Sequence, residues 1–124
     1  MARTAPPSPA PLEVAPHRII DQVCADFGLS DADLARALEA HPRTVDRWRT
    51  GATYPQRETR QRLKELLELD RHLRETFEPA GAIKEWLHSP SRYLGGLTPA
   101  DAIRVGRFDR VEAALEALDS GVFL

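Results

Sequence analysis

The sequence is short of the residues that build reactive sites. It has one cysteine, Cys24, so no disulfide can close within the chain. Cys24 lies among Ile20, Val23 and Phe27 at helical spacing and reads as a buried structural thiol rather than a nucleophile. The four histidines, at 17, 41, 72 and 88, form no i, i+4 pair, no HExxH and no Cys/His cluster, so no metal site is expected. Acidic residues are plentiful but spread along helix faces, and no pair of them is marked for acid–base work. The expectation is a protein that is not an enzyme and uses no cofactor. No apolar run approaches the roughly 18 residues that span a bilayer, which excludes a membrane partner. Met1 to Pro16 has a single Arg, five of the ten prolines and no apolar h-region. Residues 1–16 are therefore expected to be a disordered Pro-rich arm, not a secretory signal, on a cytoplasmic protein.

Net charge is also small, at −2, but it is unevenly distributed. Residues 1–40 carry a net −3 and residues 65–124 a net −4, whereas 41–64 carry +5. The basic block consists of Arg43, Arg47, Arg49, Arg57, Arg60, Arg62 and Lys64 against Asp46 and Glu58. A block of this kind is either a phosphate-binding surface or a solvated helix face, and charge alone leaves both open.

What the chain does have is helical periodicity throughout, with no convincing strand or repeat. Ile19, Ile20, Val23, Cys24 and Phe27 form the stripe of a first helix that ends at Gly28. Ser30, followed by Asp31 and Asp33, caps a second with Leu34, Ala35 and Leu38 inward. After a turn over Glu39 to His41, Pro42 opens a third, with Val45 and Trp48 inward and Gly51 as its stop. Residues 56–78 form the longest pattern, with Leu63, Leu66, Leu67, Leu73 and Phe77 on one side. Pro79 and Gly81 interrupt it before a short helix over Ala82 to Leu87. Thr98, Pro99 and Asp101 make a capping-box start for a helix carrying Ala102, Ile103 and Val105 and broken at Gly106. Phe108, Val111, Ala114, Leu115 and Leu118 stripe a last helix capped by Gly121, followed by the apolar Val122-Phe123-Leu124.

The second and third helices have the layout of a helix-turn-helix, in which outward residues near the start of the recognition helix reach base edges. Arg43 and Arg47 can bond bidentately to guanine, Thr44 can meet a thymine methyl or a phosphate, and Asp46 can accept from cytosine N4. Arg49, Arg57 and Arg60 are assigned to phosphate contacts.

Leu34-Ala-Arg-Ala-Leu38, followed by Pro42-Arg-Thr-Val-Asp-Arg-Trp-Arg-Thr-Gly51, resembles the helix-turn-helix of Xre-type repressors. It departs from that pattern at Glu39, where Gly is usual, and at His41, where a small hydroxyl residue is usual and a better cap; both changes predict a looser turn. Farther on, Ala82-Ile-Lys-Glu-Trp-Leu87, Pro90, Leu94-Gly-Gly-Leu-Thr-Pro-Ala-Asp101 and Val111 through Gly121-Val-Phe resemble the toxin-binding domain of the Xre/MbcA/ParS antitoxins, in a ParS-like form. The resemblance spans about residues 17–124. It implies an all-α fold: an N-terminal helix-turn-helix bundle over 17–55, a connecting helix over 56–78, and a small toxin-binding domain with a C-terminal tail over 79–124. It also implies an antitoxin that inhibits a RES-domain toxin encoded by the adjacent gene, an NAD phosphorylase or ADP-ribosyltransferase, by occluding its active site. Operator DNA and a second copy of the chain, in a homodimer that assembles with toxin, are the other implied partners. The toxin-facing residues would be Trp86, Arg92, Tyr93, Leu94, Gly95, Gly96, Arg107, Gly121, Val122, Phe123 and Leu124.

The residues alone leave alternatives. The apolar tail either folds back on the last helix or inserts into a partner. Trp86 and Tyr93 read as core or interface aromatics rather than ligand-stacking platforms. A stand-alone repressor with a C-terminal dimerisation domain, or a toxin binder whose helix-turn-helix no longer reads DNA, would share much of this pattern.

Overall fold

In a computed structural model of the chain, residues 15–78 and 80–121 are described, and their regular structure is entirely helical. The helices are α1 (Pro16–Phe27), α2 (Asp31–Ala37), α3 (Pro42–Thr50), α4 (Arg57–Thr76), α5 (Ala80–Leu87), α6 (Pro99–Arg104) and α7 (Phe108–Ser120), with one 3-10 turn at Arg92–Leu94. None of these is long and apolar enough to cross a membrane.

Local signals set most boundaries. Ser30 Oγ accepts from Asp33 N at 3.1 Å while Asp33 Oδ2 accepts from Ser30 N at 3.2 Å, a reciprocal cap that satisfies two helix-end donors. Thr98 and Asp101 repeat the device at the start of α6. The expected looseness between α2 and α3 is not found. His41 caps α3 with its ring, Nδ1 accepting from Arg43 N at 3.0 Å, and Ala40 N donates to Ala35 O at 2.8 Å across the turn. Glu39 does take the left-handed backbone, with φ 54°, alone among the described non-glycine residues. That costs on the order of 1 kcal/mol, which the surrounding bonds offset.

The apolar stripes meet in one core. Ile19, Ile20, Val23 and Phe27 of α1, Leu34 of α2, Val45 and Trp48 of α3, Leu63, Leu66, Leu69 and Leu73 of α4, Ile83 and Leu87 of α5, Ile103 of α6 and Val111 and Leu115 of α7 form a single cluster. α1 packs on α3, α4 and α5, α2 on α3 and α6, and α7 on α4 and α6. Each such aliphatic side chain contributes roughly 1.5–3 kcal/mol when fully buried.

Three sequence expectations need correction. Helix α5 begins at Ala80, so Gly81 lies inside it instead of breaking it. The inward stripe of α4 runs through Leu69 and Asp70, and Leu67 and Phe77 are only half-buried. Val105 is not an inward residue: it stands 65% exposed at the end of α6.

Polar ties cross the core. Arg62 Nη2 donates to Ala37 O at 2.9 Å and to Gly106 O at 3.4 Å, and its guanidinium lies 5.1 Å from the centre of the Phe108 ring. One side chain thus joins the end of α2 to the α6–α7 turn. Asp70 is fully buried and accepts from Gln22 Nε2 at 2.6 Å, with Arg74 Nε at 3.4 Å, while its Oδ1 has no partner. Burial pushes its carboxyl up to about 6. His72 joins α4 to α7, with Nδ1 2.6 Å from Glu112 and Nε2 2.8 Å from Asp119. Burial opposes its charge, but the bonds to Asp119 and Glu112 outweigh that and raise its pKa above the ordinary 6.5.

Both groups make stability depend on pH. Folded Asp70 keeps its proton to about pH 6, against an ordinary value of 3.8, so stability falls as pH rises through that window. His72 supplies stability fully below 6.5 and loses it as pH rises past its elevated folded value. Urea midpoints across pH are therefore expected to fall in two steps. Asp70→Asn should flatten the lower step and His72→Gln the upper, and two variants that both follow the parent curve would refute the assignment.

Candidate DNA and partner interfaces

Helix α3 carries the residues assigned to base reading. Val45 and Trp48 anchor it in the core, at 0% and 7% exposure, and the same periodicity leaves Arg43, Asp46, Arg47 and Thr50 exposed, with Thr44 half-buried beside them. Neither Arg43 nor Arg47 holds an ion pair among the described residues. Both guanidiniums are available at the surface. Arg57, at the start of α4, is exposed as well.

Three arginines of the basic block make contacts within the fold. Arg49 points back toward α1 and α2, with Nε 2.8 Å from Asp21 and Nη1 2.6 Å from Asp31, whose carboxylates raise its pKa. Arg49 thus makes a fork on carboxylates, one of them in the first turn of α2, where the helix dipole favours an anion. Cys24 lies under the same group, 4.0 Å from Arg49 Nη2; it is half-buried, and burial pushes its thiol up to about 11, which suits a structural role. Arg60 Nη1 donates to Pro55 O at 2.9 Å, its guanidinium lies 5.6 Å from the Tyr54 ring centre, and its Nε is buried without a partner. It ties the start of α4 to the α3–α4 connection. Arg62, which the sequence offered only as part of a charge block, is the core tie described above.

The residues assigned to the toxin fall on two sides of the turn at 91–97. Ser91 N donates to Leu97 O at 2.9 Å and Gly96 N to Ser91 O at 2.8 Å, closing that turn. Gly95 and Gly96, with φ 69° and 95°, supply the left-handed backbone it needs. On one side, Trp86, Pro90, Arg92, Tyr93 and Leu118 line a groove of about 170 Å³. Trp86 also packs on Phe77, with ring centres 5.7 Å apart, so it serves core and groove together. On the other side, Leu94 and Arg107 line a larger groove of about 440 Å³. Leu94 is 5% exposed and lies in its floor, whereas Arg107 is exposed at the rim and paired with Asp109 at 2.9 Å. Gly121 caps α7 with φ 75°. Val122, Phe123 and Leu124 lie outside the described residues, as does the arm over 1–14. Among the described residues, no group of three or more His, Cys, Asp or Glu side chains is placed to hold a metal ion.

Comparison with known proteins converges on one group. Residues 72–121 match the model of the antitoxin Xre/MbcA/ParS C-terminal toxin-binding domain. The chain is 38% identical over 98 residues to the mycobacterial cidal antitoxin MbcA of Mycobacterium tuberculosis and of Mycobacterium bovis, spanning 79% of this chain and 86% of that one. A probable mycobacterial cidal antitoxin of M. tuberculosis is 33% identical over 98 residues, 79% of this chain and 83% of its own. Among solved structures, the crystal structure of the M. tuberculosis MbcT–MbcA toxin–antitoxin complex matches with a TM-score of 0.65 and 34% identity, covering 87% of this chain and 96% of that one.

Proposed function

Because this chain belongs to the Xre/MbcA/ParS antitoxin family, we propose that it neutralises a RES-domain, NAD-consuming toxin encoded beside it and represses its own operon by binding DNA. The observation that carries the reading is the 38% identity to MbcA over 98 residues, 79% of this chain. In this reading, residues 17–55 read the operator, 56–78 connect, and 79–124 grip the toxin, while the chain itself catalyses nothing. The tail beyond Gly121 covers the toxin's active site. Two copies pair so that their recognition helices meet successive half-sites.

The direct test is co-expression. Cells making the neighbouring gene's product should stop growing unless this chain is made with it, and the two should co-purify. No rescue, or no toxin gene alongside, would return the chain to the stand-alone repressor reading.

The DNA part fails or stands by itself. Arg43, Thr44, Asp46, Arg47 and Arg57 face outward on or next to α3, and a base-reading arginine is worth about 1–3 kcal/mol. Arg47→Ala is therefore expected to weaken binding to the chain's own upstream region by that amount in a gel shift. Unchanged affinity removes Arg47 as a reader, and absence of salt-sensitive binding by the parent chain removes DNA altogether.

A further inference from the structure

Two aliphatic side chains beside the 91–97 turn are mostly in water: Leu97 is 60% exposed and Val105 65%. They flank the larger groove, about 440 Å³, which also has Leu94 and Ala102 in its lining. Four arginines rim it: Arg36 from α2, Arg104 at the end of α6, Arg107, and Arg110 from α7. Arg104 is held by Asp33 and Asp101, at 3.0 and 2.9 Å, and Arg107 by Asp109. Arg36 and Arg110 are exposed and hold no ion pair among the described residues.

An apolar centre inside a polar rim, with arginine over-represented, is the anatomy of a protein interface. The charge of the rim selects the occupant. A second copy docking through a twofold axis would face Arg36 and Arg110 with the same groove and the same sign of charge. A phosphate backbone would meet aliphatic carbons in the lining and the Asp101 carboxylate among them. A protein segment that carries an apolar side chain between carboxylates satisfies both centre and rim.

We propose that this groove is a second contact surface for the toxin, taking an apolar side chain flanked by Asp or Glu, and that Arg36 draws the DNA-reading end of the chain into that contact. The inference rests on the toxin-binding reading and extends it past the C-terminal helices. Its physical interest lies in where Arg36 sits. Its backbone carbonyl accepts from Glu39 N at 3.1 Å in the α2–α3 turn, so a partner held by this residue bears on the turn that aims the recognition helix.

The test uses the full chain and the purified product of the neighbouring gene, with affinity measured by calorimetry for the parent, Arg36→Glu and Val105→Asp. Both positions are exposed, so melting temperatures should stay at the parent value. The expected result is toxin affinity weaker by about tenfold or more in each variant, with promoter binding by the free chain unchanged. Toxin affinity within about twofold of the parent in both variants overturns the proposal. So does loss of DNA binding alone, which would make the groove a nucleic-acid surface, or loss of self-association alone, which would give it to a second copy. A parent chain that does not bind the neighbour's product at all takes down the functional reading itself, a result separate from any variant's behaviour.

Discussion

Replacing Gly106 by Ala is expected to cost this protein about 2–5 kcal/mol, a large share of the roughly 5–15 kcal/mol that holds a small domain together. Two independent effects add. Gly106 has φ 78°, and an L residue held there costs roughly 1–2 kcal/mol. A Cβ on that backbone would also lie 2.2 Å from Arg62 Nη2 and 3.4 Å from Ala37 O. The guanidinium must move, and moving it gives up the bond to Ala37 O and the stack on Phe108, leaving a carbonyl short of its donor at about 1–3 kcal/mol. The two effects separate in a double-mutant cycle. In an Arg62→Met background only the backbone strain remains, so Gly106→Ala should cost about half as much there, measured by urea unfolding. Equal costs in both backgrounds would show that Arg62 is not the obstacle.

If the chain neutralises an NAD-consuming toxin as proposed, deletion of Val122 to Leu124 is expected to abolish that neutralisation while leaving the chain folded. Helix α7 ends at Ser120, and Gly121 caps it in the left-handed conformation. Three apolar residues then follow, and burying such side chains in a partner is worth roughly 1.5–3 kcal/mol apiece, enough to move a dissociation constant by several powers of ten. The readout is NAD consumption by toxin co-purified with the truncated chain, which should return to the level of free toxin. The competing arrangement has a different signature. If the tail lies instead in the neighbouring groove lined by Trp86, Tyr93 and Leu118, the truncated chain melts at lower temperature but inhibits as before.

The features legible in the sequence are those settled within a few residues. Ser30 with Asp33, Thr98 with Asp101, Pro42 and the glycines at 28, 51 and 121 announce helix ends because each cap is made by neighbours in the chain. The outward set on α3 was readable for the same reason, since Val45 and Trp48 fix the helix rotation. What the sequence hides is long-range pairing. Asp70 looks like one more exposed acid of a charged helix, and Gln22, 48 residues earlier, supplies the hydrogen bond that helps make its burial tolerable. Arg49 and Arg62 look like members of a basic surface, yet their partners lie at Asp21, Asp31, Ala37 and Gly106. Arg36, Leu97, Val105 and Arg110 come from different elements and become one groove only when α2, α6 and α7 pack. Among them, Val105 carried the one local hint, an apolar residue placed just before the helix-ending Gly106.

The continuous core through α4 has a further consequence for how long such a protein lasts in a cell. A protease that catches α4 open exposes Leu63, Leu66, Leu69 and Leu73, against which both the recognition end and the partner end are packed. Neither end would keep its share of that core after the other was digested. On the proposed function, repression and neutralisation would then decay with a single half-life, and turnover of this one chain would lift both at once.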